Sequence, residues 1–272
     1  MKKLASWILP FLAAFLLAGC LETTTLVRVD KNGGGTIEER VVISDSFMQI
    51  LNSMSENAQT ETQEAQTLDE EELEARAARM GEGVSLQSTE KLTTEKGKGF
   101  MAVFQFQDIN KVRINQNPGE NVPTTAQALG GQEVEQEYIQ FRFTKGSPNT
   151  LVILAPKLQP KEKTEAEGEK KASEQEEDST VMMDMLRQIY QDMRIGMAVE
   201  VQGTIVDSNA AYREGSRITL MEVNFGTLLQ DEETFKRLVT ADPQSLEETK
   251  ALIKNSPGMK VDLQEEIRVR FK

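Results

Sequence analysis

The side chains that could do chemistry are few in kind. The 272-residue chain has no histidine, one cysteine and one tryptophan. Without an imidazole there is no Ser–His–Asp relay, no His-held zinc or copper and no histidine pH switch. The single thiol, Cys20, permits neither an internal disulfide nor a multi-cysteine metal or iron–sulfur site. No G-x-S-x-G elbow, S-x-x-K pair or phosphate-cradling glycine loop occurs. Acids outnumber bases 44 to 31, a net charge of -13, which argues against a nucleic-acid partner. Hydrolysis by paired carboxylates needs two carboxyls at a set separation, and spacing alone singles out no pair among so many. A hydrolase of that kind is the enzymatic alternative. The main expectation is a protein that is not an enzyme and needs no cofactor and no metal.

Four further patterns carry weaker signals. Asp30-Lys31-Asn32-Gly33-Gly34-Gly35-Thr36-Ile37 matches part of a calcium loop, but position 12 is Val41 where a bidentate Glu is required. A glycine-rich hairpin turn is the better reading. Met182, Met185, Leu186, Ile189 and Met193 fall at i, i+3, i+4, i+7 and i+11, one face of a helix. Core packing accounts for that stripe. An apolar ligand groove is the functional reading, since methionine is adaptable, and copper(I) on the soft sulfurs is a third. The acids at 69–72 and 176–178 stand at predicted helix starts, where the dipole favours them. The basic end Arg268-Val269-Arg270-Phe271-Lys272 reads as a last strand with one exposed face, and contact with anionic head groups or a partner is its functional reading.

Lys2 and Lys3 precede an uncharged, mostly apolar run over 4–19. That is shorter than the roughly 20 apolar residues of a membrane-spanning helix and suits the core of a secretory signal. The run ends Leu17-Ala18-Gly19-Cys20, which resembles the bacterial lipoprotein box. The resemblance implies that residues 1–19 are a signal peptide cut before Cys20. It implies that the Cys20 sulfur is joined to diacylglycerol and the new amine acylated, so that the partner at this point is the membrane. It places the protein in the cell envelope, facing the periplasm or exterior. In the Gram-negative members an Asp after the cysteine favours the inner membrane, so Leu21 favours the outer. No later stretch approaches 18 apolar residues.

The remaining chain divides at a composition change. Residues 20–156 form an α+β N-terminal region. It opens with a hairpin over 23–43 around the glycine turn, then helices over 46–55 and 69–80. Strands follow over 84–92, 100–106, 135–144 and 151–154, with a long loop at 110–133. The local turns predict that these four strands form one antiparallel meander. Residues 157–179 are a charged linker or insertion, with too few large apolar side chains to offset backbone ordering. Residues 180–272 form an α+β C-terminal region that could complete the same domain. It comprises a helix over 180–194, strands over 198–206 and 217–223, short helices over 231–239 and 245–253, and a closing strand over 261–271. Ser245 and Glu248 have capping-box spacing.

Two segments beside the lipid box resemble the LppM-like group of bacterial lipoproteins. One is the turn with Asp30, Gly33 and Gly35. The other runs from Val199 through Asn209 to the strand Gly215-Ser216-Arg217-Ile218-Thr219-Leu220. The resemblance implies an α+β envelope lipoprotein with no catalytic residues to carry over. The expected fold class is therefore α+β, antiparallel sheet packed with amphipathic helices. The expected function is a lipid-anchored binding or scaffold module for an envelope protein or an apolar ligand. A lipid carrier with an enclosed apolar cavity is a further reading.

Overall fold

The structure, a computed structural model, describes residues 21–45, 70–116, 137–156, 190, 193–240 and 246–272. It opens with β1 (Leu21–Val29) and β2 (Gly35–Ile43), an antiparallel hairpin running from Leu21 opposite Ile43 to Val29 opposite Gly35. Helix α1 (Glu70–Met80) begins with three glutamates and has Arg79 in its last turn, in keeping with the helix dipole. A second hairpin follows, β3 (Ser85–Thr94) and β4 (Gly97–Phe106). A 3-10 turn (Ile109–Lys111) then leads into β5 (Arg113–Asn115). Strands β6 (Tyr138–Thr144) and β7 (Asn149–Leu154) form a third hairpin.

After residue 193 come β8 (Arg194–Val201), β9 (Ile205–Ser208), β10 (Arg213–Glu214) and β11 (Arg217–Asn224). Three short helices follow: α2 (Phe225–Gln230), α3 (Glu232–Thr240) and α4 (Leu246–Lys254). Strands β12 (Met259–Val261) and β13 (Glu266–Phe271) end the chain.

The strands form two sheets. Sheet 1 has the order β10-β11-β8-β1-β2-β4-β3, with β12 also on β11; sheet 2 has the order β5-β6-β7-β13-β9. Strand β8 lies parallel to β1, whereas the other pairings are antiparallel. Alternate residues of both sheets meet in one core. Val27, Val29, Ile37, Phe104, Phe106 and Val199 come from sheet 1. Phe141, Leu151, Ile153, Ile267, Val269 and Phe271 come from sheet 2. Leu73, Ala77 and Met80 of α1 join the same core. Helices α2 and α3 carry a smaller cluster of Leu228, Leu229 and Phe235, against which Tyr190 and Met259 pack.

The expected α+β class is overturned: the fold is mostly β, two sheets with few short helices. The cause is what covers the sheets. Period-2 alternation shows that one face is buried but not whether a helix or another sheet buries it. Here each sheet supplies much of the other's cover. The single meander is also corrected. The β3–β4 hairpin joins sheet 1 and the β6–β7 hairpin joins sheet 2, with the 3-10 turn and β5 carrying the chain across.

Two predicted single strands are in fact pairs that change sheet. The strand over 198–206 is β8 in sheet 1 and β9 in sheet 2, and the closing strand is β12 in sheet 1 and β13 in sheet 2. The hairpin at 21–43, α1, β11, α3 and α4 stand close to where the sequence places them. The predicted helix over 46–55 and Ser245 of the capping box lie outside the described residues.

Candidate functional site

Cys20 lies outside the described residues, but the next residue, Leu21, is the first of β1. Strand β1 is interior to sheet 1, with Leu21 opposite Ile43 and Glu22 opposite Arg194. Of the methionine-stripe residues, Met182, Met185, Leu186 and Ile189 also lie outside the described residues. Met193 is described, and it is not helical, although it falls within the helix that 180–194 predicts. Its N–H donates to the Tyr190 carbonyl at 2.9 Å and its carbonyl accepts from Phe225 N–H at 3.0 Å. It leads into β8, which starts at Arg194, four residues earlier than the alternation indicates.

The Asp30 turn is built for structure. The carboxylate Oδ1 accepts from Asn32 N–H at 2.6 Å and Gly34 N–H at 3.1 Å, and so closes its own loop. The turn is then locked to sheet 2. Asn149 donates to the Lys31 carbonyl at 3.2 Å and Lys145 to Asn32 at 2.9 Å, and Gly33 lies under the Phe143 ring. Its glycines let the backbone meet that ring. Among the described residues no three acids gather as a metal site.

One acid sits where a catalytic carboxylate could be tuned. Glu39 of β2 is 2% exposed and Arg76 of α1 is 4% exposed. The Arg76 guanidinium donates to Glu39 at 3.0 Å and lies 3.7 Å from Glu72. Burial raises the Glu39 carboxyl above its ordinary 4.5, against the pull of Arg76. The buried, charge-paired carboxyl ties α1 to sheet 1.

A shallow recess elsewhere is lined by Gln116, Pro156, Lys250, Asp262, Gln264 and Glu265. It is too small to enclose a substrate-sized molecule. Its floor belongs to a corner where the chain changes sheet. There Asp262 accepts from Ala211 N–H at 2.8 Å, and Asn209 accepts from Arg268 N–H at 2.6 Å.

The outer face of sheet 2 is different in character. Arg113, Arg142, Arg268 and Arg270 are all exposed there, alternating with core residues on their own strands. Arg142 and Arg268 flank Val152 across three strands, and Arg270 stands beside Thr150. Arg268 pairs with Glu266 at 2.6 Å, and Arg113 lies 4.8 Å over the Tyr138 ring. Among the described residues neither Arg142 nor Arg270 forms an ion pair.

No family model and no curated protein matches the sequence. Among solved structures the chain is similar to the NMR structure of the folded domain of LppM from Mycobacterium tuberculosis. The identity is 8% and the TM-score 0.33, over 77% of this chain and 85% of that one. A similarity this weak fixes neither a family, an activity nor a site residue.

One feature escaped the sequence reading and another was seen only in part, although their signals are present. Glu39 is in phase with Ile37, Val41 and Ile43, the buried side of β2, and Arg76 lies on the helix face of Leu73, Ala77 and Met80. A lone acid and a lone base, each on an apolar stripe, mark a buried pair. The basic face is half visible, because Arg268 and Arg270 alternate with apolar residues. That Arg142 shares their face requires knowing that β7 lies between β6 and β13.

Proposed function

We propose that this protein is a lipid-anchored module of the cell envelope that binds or scaffolds an envelope partner or an apolar ligand and catalyses no reaction. The observation that carries the reading is the sequence at Cys20. A basic start and an apolar run end in Leu17-Ala18-Gly19-Cys20, and the first strand residue follows at once. Acyl chains there would hold the module to a membrane, at about 0.8 kcal/mol per buried methylene. Tethering would raise its effective concentration toward neighbours in the same membrane. A leucine at position 21 supports the outer membrane if the cell is Gram-negative.

Mass spectrometry of the mature N-terminal peptide tests the anchor. The expected result is a chain that starts at Cys20 with a diacylglycerol on its sulfur. Incorporation of a labelled fatty acid is expected in the wild type and absent in Cys20→Ser. An unmodified Cys20 thiol on the mature chain overturns the reading. Cross-linking in intact cells addresses the scaffold role, with a reproducible envelope neighbour as the supporting outcome.

A further inference from the structure

The outer face of sheet 2 reverses the charge of the molecule. The chain carries -13 overall, yet this face shows Arg113, Arg142, Arg268 and Arg270 against Glu266 and Asp207. Asp207 lies opposite Arg270 in the strand register, and Glu266 holds Arg268. Arg142 and Arg270 remain without an ion pair among the described residues, on a protein rich in carboxylates.

These arginines cannot turn inward. The residues between them, Ile139, Phe141, Ile267 and Val269, are fixed in the core. Two strand spacings separate Arg142 from Arg268 by about 10 Å, and Arg268 and Arg270 are about 7 Å apart along β13. The backbone therefore holds the cations outward at set intervals, and binding has no chain to order. The recess at Asp262 and Gln264 is lined from other residues. Cations spread over an exposed sheet face suit an extended anionic surface better than a small anion. Repulsion of the acidic remainder would turn this face toward such a surface.

We propose that the outer face of sheet 2 docks on the surface of an anionic phospholipid bilayer, with Arg142, Arg268 and Arg270 contacting headgroup phosphates. Guanidinium is suited to phosphate because it can donate two parallel hydrogen bonds. The proposal rests on the envelope reading only for the presence of a bilayer, and it needs no acyl chain.

The test is co-sedimentation of the chain from residue 20 onward, with Cys20→Ser, which contains every described element and cannot be lipidated. Vesicles are phosphatidylglycerol and phosphatidylcholine in equal parts, or phosphatidylcholine alone. Binding is expected on the mixed vesicles at low salt, weaker at about 0.15 M salt, and negligible on phosphatidylcholine. A cation near the surface is worth about fivefold in affinity, so R142Q/R268Q/R270Q should lose up to roughly a hundredfold. R142K/R268K/R270K should retain most of the binding, and Glu266→Gln should strengthen it. Absence of binding by the unsubstituted chain, equal binding to both vesicle types, or an undiminished triple Gln variant overturns the proposal. A lipidated Cys20 beside any of those results leaves the anchor standing and removes only the docking face.

Discussion

Arg76 on α1 donates to Glu39 on β2 at 3.0 Å, and both side chains are almost sealed from water. The two partners are not equivalent. A carboxyl left alone can take up a proton, whereas a guanidinium cannot shed one. Glu39→Ala is therefore expected to cost about 3–5 kcal/mol, with Glu72, half-exposed at 3.7 Å, compensating only in part. Arg76→Leu is expected to cost less. Chemical denaturation of both variants measures the difference, and equal losses would count against this asymmetry.

The same carboxyl gives a pH signature. Burial raises it above 4.5 in the folded chain, so the folded state favours the protonated form. Its contribution to stability is fully present below the unfolded value and is lost as pH rises through the folded one. Relative to Glu39→Gln, the wild type should be most stable in acid and decline as the pH climbs past the ordinary carboxylate range. A flat difference across that range would refute the assignment.

Gly33 joins the two sheets by a steric fit. It has φ +92°, and a Cβ there would stand 2.6 Å from the Phe143 ring. Gly33→Ala thus combines a left-handed backbone with a clash, and a loss of about 1–3 kcal/mol is expected. In a Phe143→Ala background the clash disappears but the backbone strain remains. The penalty should then shrink without vanishing, which a double-mutant cycle measures.

Asp231 shows the opposite pH sign from Glu39. Its carboxylate accepts from Thr234 N–H at 3.0 Å and Thr234 Oγ1 at 2.8 Å, and these bonds hold it below the ordinary 3.8. Its contribution is present above the unfolded value and lost as pH falls through the folded one. Compared with Asp231→Asn, the wild type should lose stability as the pH drops below 3.8. Thermal melts of the pair across that interval check it.

Local order was readable in the residues, and long-range partnership was not. The Asp30–Gly35 turn between alternating strands announces the β1–β2 hairpin, and the acids opening α1 announce its start. Only Gly203 interrupts the alternation across 198–206, so little that is local reveals that the chain leaves sheet 1 after Val201 and enters sheet 2 at Ile205. The switch is decided by partners far away: β1 for β8 and β13 for β9. The same limit hid the basic face, whose arginines come from β5, β6 and β13. The mostly β class escaped for that reason too, since strand patterns do not say what lies above them.

The charged segment 157–179 separates two stretches of chain that depend on each other. Strand β8 pairs along β1 from Glu22 with Arg194 to Val29 with Val201, and β13 pairs along β7 from Leu154 with Glu266 to Asn149 with Phe271. Each sheet therefore contains strands from both sides of the segment, and Val199, Val269 and Phe271 share a core with Val27 and Leu151. Residues 20–156 alone would leave β1 and β7 with bare edges and their apolar side uncovered, a state prone to aggregate. A protease site introduced between 157 and 179 should give two fragments that stay together on native gel filtration and part only in denaturant. Expressed separately, each fragment should be poorly soluble, and mixing them during refolding should restore the native circular-dichroism spectrum. Separation of the cleaved fragments without denaturant would mean that the pairings across the two sheets do not carry the stability assigned to them here.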